Sequence, residues 1–161
     1  MKNTGKITII LMVLSFVFMA NTCNKEDENH HKTIEVVNNS EKAIYAYFDV
    51  AYPDTLALSG VPSSSEPSIY KVEPHKRNKT ALWQNTFWEV IFRDGRRILS
   101  DTLMVFIMDA ELLESNTTHV NNTIIQRYDL SLQDLQRINW TLTYPPSPNM
   151  SAIKMYPPYG Q

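Results

Sequence analysis

The 161-residue chain predicts a mainly β domain, an antiparallel β-sandwich or partly open barrel with one short helix. Three observations predict it. Short runs rich in β-branched and aromatic residues recur from Thr33 to Tyr144, divided by clusters of Asn, Ser, Gly and Pro. One run, LMVFIM at Leu103 to Met108, is apolar throughout, as in a strand covered on both faces. Strands and long helical patterns do not alternate, which disfavours a parallel doubly wound sheet.

The elements follow in order. TIEVV at 33–37 and AIYAYFDV at 43–50 are strand runs, and NNSEK at 38–42 is expected to close them into a hairpin. SGVPSSSEPS at 59–68 is loop by composition, and IYKV at 69–72 is a short strand. HKRNK at 75–79 is the most basic window and reads as a solvated loop. FWEVIF at 87–92 is dense in strand formers, and Asp94-Gly95 after it predicts a hairpin turn, since a type I′ turn needs positive φ at both centres. After LMVFIM comes TIIQRYDL at 123–130, again a strand. Ser131 then opens a helix with an acid three positions on and Leu132, Leu135 and Ile138 along one face. Asn139 suits the helix end, and WTLTY at 140–144 alternates as a strand anchored by Trp140 until Pro145 and Pro146 stop it. AIKMY at 152–156 is either an edge strand or part of a loose tail.

The first residues carry a different signal. Lys2 and Lys6 precede fourteen residues, Ile7 to Ala20, interrupted only by Thr8 and Ser15. That is the charge order and length of a signal-peptide core, and it falls short of the about 20 apolar residues of a spanning helix. Cys23, the only cysteine, follows directly, and NKEDENHHK after it has no apolar residue. A single thiol makes no internal disulfide. The expected division is a signal peptide at 1–22, a cysteine and flexible acidic tether at 23–32, one β domain at 33–146 and a Pro-rich tail at 147–161. His30 and His31 lack a third metal ligand nearby in sequence, so they are expected to be solvated tether residues.

The segment around Cys23 resembles the signal of a bacterial lipoprotein, in which a peptidase cuts before a cysteine that carries diacylglycerol. Ala20 fits that pattern, whereas Asn21 and Thr22 depart from it. The stretch NKEDE resembles the charged segment that follows the cysteine in surface-directed lipoproteins of the Bacteroidetes type. RYDLSLQDLQRINWTLTYP at 127–145, DTLMVFIMDAE at 101–111 and IYAYFDVAYPDT at 44–55 are similar to a group of small lipoproteins of that type. The resemblance implies a lipid-anchored envelope protein at the outer membrane, either exposed on the surface or facing the periplasm, and supplies no activity. Two Asp-Thr-Leu triplets resemble an O-glycosylation motif of exported proteins in the same bacteria, with Thr55 and Thr102 as acceptors.

Composition bounds the partners. The net charge is −2, and removing residues 1–22 with their two lysines and no acid leaves −4. No basic cluster suits nucleic acid. Four glycines leave no phosphate loop, and neither a Gly-x-Ser-x-Gly elbow nor HExxH occurs. No cofactor and no metal are expected. Asp109, Glu111 and Glu114 cluster after LMVFIM, where they would bind calcium, or supply Asp109 and Glu111 as the acid and base of an envelope glycan or peptide hydrolase, or simply be a solvated strand exit. His119 has no evident partner. Tyr45, Tyr47, Tyr52, Tyr70 and Trp83 would either stack on sugar rings or a protein partner from one sheet face, or divide between core and surface. The leading expectation is a non-enzymatic binding or accessory domain anchored to the membrane by lipid, with a protein or glycan as partner. A subunit of a surface fibre, joined by strand addition at an open edge, is the third.

Overall fold

A computed structural model describes residues 26–54, 67–98, 100–115 and 119–161. Its strands are β1 (Thr33–Asn38), β2 (Ile44–Asp49), β3 (Lys71–Val72), β4 (Arg77–Trp83), β5 (Leu103–Asp109), β6 (Ile124–Leu130), β7 (Thr141–Tyr144) and β8 (Lys154–Tyr156). Between them lie α1 (Pro67–Tyr70), α2 (Trp88–Asp94), α3 (Ala110–Ser115) and α4 (Leu132–Arg137), with 3-10 turns at Val120–Thr123 and Pro148–Met150. The strands make two sheets, ordered β4-β1-β7 and β3-β2-β5-β6-β8, and among the described residues neither closes into a barrel. The domain is mainly β, as the sequence predicts. It departs from the prediction in having several short helices rather than one, and in the parallel pairing of β1 with β7.

One face of each sheet meets in the main core. Ile34 and Val36 of β1, Leu82 of β4 and Leu142 of β7 oppose Ile44, Val105, Ile107, Tyr128 and Leu130 of the larger sheet. Trp88, Ile91 and Phe92 of α2 and Leu135 of α4 complete this core. The period-2 geometry of β5 sends Leu103, Val105 and Ile107 inward and Met104, Phe106 and Met108 to the other face. There they join Tyr45 and Ala110, with Tyr47, Tyr52, Tyr70 and Leu113 packed around them. Every residue of β5 is buried, as a continuous apolar strand requires.

The hairpin expected across residues 38–42 does not form, because β1 and β2 belong to different sheets. Asn38 explains the change of sheet. Fully buried, it donates from Nδ2 to the carbonyls of Lys42 (2.7 Å), Val72 (3.0 Å) and Glu73 (3.2 Å), and its Oδ1 accepts from the Ser40 N–H (3.0 Å) and hydroxyl (2.7 Å). A second polar link crosses the layers where the Tyr128 hydroxyl donates to the Thr143 carbonyl at 2.9 Å.

FWEVIF is helix, not strand. Trp88, Ile91 and Phe92 are buried while Val90 is exposed, the i, i+3, i+4 spacing of one helical face. Strand propensity yields here to packing, as β-formers do when a helical face fills a core. Gly95 at φ 62 is the left-handed cap that ends α2, so Asp94-Gly95 closes a helix and opens no hairpin. HKRNK is not all loop, since Arg77–Lys79 begin β4, where Arg77 and Lys79 are exposed and the half-buried Asn78 amide donates to the Ile69 and Lys71 carbonyls. The helix at Ser131 forms as predicted, with the Ser131 hydroxyl and Asp134 carboxylate capping one another's backbone. Asn139 and Trp140 follow at φ 50 and 56, turning the chain into β7. The tail folds back, with β8 pairing on β6 and Met150, Ile153 and Met155 entering the main core.

Candidate functional site

The residues just ahead of β1 are docked on the domain. The His31 ring stacks on Trp140 at 4.2 Å with 13° between planes. Its Nδ1 lies 2.6 Å from Oε1 of Glu89, a carboxylate buried on α2, which also accepts the His31 backbone N–H at 3.0 Å. The His31 carbonyl accepts from Trp88 N–H and the Lys32 carbonyl from Gln84 N–H. His30 tilts over Phe87. His31 is thus a structural clasp, whereas His30 stays exposed as expected. Glu89 was invisible to sequence reasoning because its partner lies 58 positions away. Its buried carboxylate accepts charge-assisted bonds, each worth about 1.5–3 kcal/mol. Glu89→Ala is therefore expected to destabilise the domain by about 2 kcal/mol in urea unfolding and to speed amide exchange at His31. Unchanged exchange there would show that the clasp is not held by Glu89.

The three carboxylates, Asp109 at the end of β5 and Glu111 and Glu114 on α3, do gather around a hollow of ≈ 230 Å³ shared with Lys42 and Lys71. Asp109 and Glu114 are already committed. Asp109 Oδ1 accepts from the Leu112 N–H at 3.1 Å at the start of α3, and its Oδ2 lies 3.6 Å from Lys42 Nζ. Glu114 accepts from the Tyr45 hydroxyl and pairs with Lys71 Nζ, each at 2.8 Å. Lys71, then Tyr45, hold the Glu114 carboxyl below its ordinary pKa, the opposite of what a general acid needs. Burial, then Glu114, pushes the Tyr45 phenol up. Glu111 is exposed. His119 caps the 3-10 turn after it, accepting from the Asn121 N–H. Among the described residues no three His, Cys, Asp or Glu side chains converge as a metal site.

The tyrosines do not form an exposed row. Tyr45 is buried, and Tyr47, Tyr52 and Tyr70 roof the outer face of the larger sheet, while Trp83 alone of the five is exposed. Tyr52 reaches across that face, where Lys154 Nζ donates to its hydroxyl at 2.9 Å. Lys154 also lies 3.3 Å from Asp129, whose carboxylate is buried against Arg127, and the Arg127 guanidinium stacks 4.1 Å over Tyr156. The Tyr52 hydroxyl, then Tyr156 and Asp129, raise the Lys154 ammonium pKa.

A hollow that no motif announced opens at one end of the main core. It measures ≈ 250 Å³ and is walled by Phe48, Val50, Trp88 and Ile91, with Gln84 and Arg97 at the rim. Phe48 sets its edge against the Trp88 ring at 5.2 Å and 84°. The signals were scattered over the end of β2, the exit of β4, α2 and the segment beyond it, so no window of sequence contained them. A wider hollow of ≈ 370 Å³ lies between Phe92, Arg93, Asp101, Ser131, Leu132 and Gln133.

Thr102 is half-buried directly before β5 and its hydroxyl donates to the Ser100 carbonyl at 3.1 Å. Cys23, Thr55, the leader and residues 59–66 of the Ser-rich loop lie outside the described residues. Among the described residues no helix is long and apolar enough to cross a membrane.

These features define a two-sheet, mainly β domain with a segment docked ahead of β1 and a small apolar hollow. No known protein family, curated protein or solved structure matches the chain.

Proposed function

We propose that this chain is a lipid-anchored envelope protein whose β domain binds or supports a partner without catalysing a reaction. The observation that carries the reading is the single cysteine at the end of an apolar leader with lysines before it and charged residues after it. The resemblance to small lipoproteins of the Bacteroidetes type supports an anchor in the outer membrane, with the domain on the cell surface. Two or more acyl chains on Cys23, at about 0.8 kcal/mol per buried methylene, hold a protein stably where one chain does not.

The docked segment changes how such an anchor works. Asp27 and His30 already exchange backbone hydrogen bonds, and His31 is clasped. Asp27 lies four residue steps after Cys23, a reach of roughly 14 Å when fully extended. The tether then gives little freedom, and the domain is held close to the bilayer rather than displayed on a long leash. Commitment of Asp109 and Glu114 to capping and ion pairing favours binding over hydrolysis.

Mass spectrometry of the mature protein from membranes tests the reading. The expected result is an N-terminal Cys23 bearing two or three acyl chains, incorporation of an alkyne fatty acid by the full chain, and none by Cys23→Ser. An unmodified Cys23 thiol, or a mature chain starting elsewhere, would refute it.

A further inference from the structure

We propose that the hollow walled by Phe48, Val50, Trp88 and Ile91 binds a small organic carboxylate, its apolar body inside and its carboxylate on Arg97 at the rim. The proposal deepens the binding reading above and is independent of the anchor.

The walls offer only apolar and aromatic surface. Trp88 is fully buried with its indole N–H spent on the Leu82 carbonyl at 3.3 Å, so it backs the hollow while the half-buried Phe48 and Val50 present the accessible surface. Phe48, edge-on to that ring, stands beside it, and Val50 and Ile91 supply aliphatic surface. Polar groups converge only at the mouth, as in binding sites that orient a ligand by one end. Arg97 is exposed and, among the described residues, makes no ion pair, whereas its neighbour Arg96 is paired with Asp94 at 2.8 Å. A guanidinium binds a carboxylate through two parallel hydrogen bonds, and Gln84 beside it adds an amide. The ligand's charge stays at the solvent edge, which avoids the cost of burying it. Size sets the rest. A dry cavity of about 150 Å³ accepts benzene, so ≈ 250 Å³ accepts a ring with a short arm or a medium aliphatic chain, and not a drug-sized molecule.

The test uses the full chain in phosphatidylcholine nanodiscs, so that no free detergent competes for the hollow. 3-Phenylpropionate is titrated while the Trp88 indole N–H resonance is followed, assigned by elimination with Trp83→Phe and Trp140→Phe. The expected result is a saturable shift of Trp88 in the millimolar range or below. Arg97→Ala is expected to weaken binding about tenfold, and 3-phenylpropanol to bind about tenfold more weakly than the acid. An unshifted Trp88 resonance in ligand-free Arg97→Ala confirms that its fold is intact. A Trp88 resonance that does not move, an alcohol that binds as well as the acid, or affinity indifferent to Arg97→Ala would each overturn the proposal. Acylation of Cys23 is scored separately, so a soluble protein that still binds the acid loses only the anchor.

Discussion

Asp129→Ala is expected to lower the stability of the domain by about 3 kcal/mol, a loss read as a fall in the urea midpoint with an unchanged slope. Asp129 is almost wholly buried on β6 between two cations, with Arg127 Nε at 2.9 Å and Lys154 Nζ at 3.3 Å. The Nε contact is a close ion contact without hydrogen-bond alignment, whereas Arg127 Nη2 donates properly to Oδ2 at 3.2 Å. Removing the carboxylate strands Arg127, itself only about one-fifth exposed, opposite Lys154. Lys154 is half exposed and can turn to water; Arg127 is held over Tyr156 and cannot turn as freely. The cost therefore comes mainly from an uncompensated, partly buried guanidinium. Arg127→Met combined with Asp129→Leu removes both charges and keeps the volume, and is expected to recover most of the loss. If the double variant is as unstable as Asp129→Ala alone, the damage is to packing around Met104 and not to charge balance.

The features legible in the sequence are those whose causes are local or periodic. Ser131 and Asp134 cap one another within four residues, and the helix they open sits where the spacing predicts. LMVFIM announces burial on both faces by having no polar residue, and β5 has none of its residues exposed. FWEVIF was misread because composition and period disagree there. Phe, Trp, Val and Ile favour strands, but only the helical spacing brings Trp88, Ile91 and Phe92 to one core. Asp94-Gly95 carries positive φ at Gly95 in either reading, so the dipeptide alone does not separate a hairpin from a helix cap. The clasp on Glu89 and the hollow beside Trp88 depend on residues brought together from distant segments, and neither leaves a pattern in any single window.

Asn38→Ala is the companion case at the other end of the core, expected to cost about 3 kcal/mol. The sequence marks NNS as a turn, and a turn is there, but the fully buried Asn38 does more than bend the chain. Its amide reaches from the end of β1 to the carbonyls of Val72 and Glu73 around β3, and to Lys42 just before β2. It thereby fastens the smaller sheet to the edge of the larger one. Alanine removes the amide donor from all three; Glu73 still accepts from the Lys76 N–H, but the buried bond to Val72 is lost with no water to replace it. Asn38→Asp separates the two roles of the side chain. An aspartate still accepts from the Ser40 N–H and hydroxyl, so the turn survives, but it has no donor and sets a carboxylate against three carbonyl oxygens. It is expected to be at least as destabilising as alanine at neutral pH, and to regain stability as acid protonates the carboxyl. Recovery of near-native stability by Asn38→Asp at neutral pH would mean that the turn, and not the fastening of the two sheets, is what Asn38 contributes.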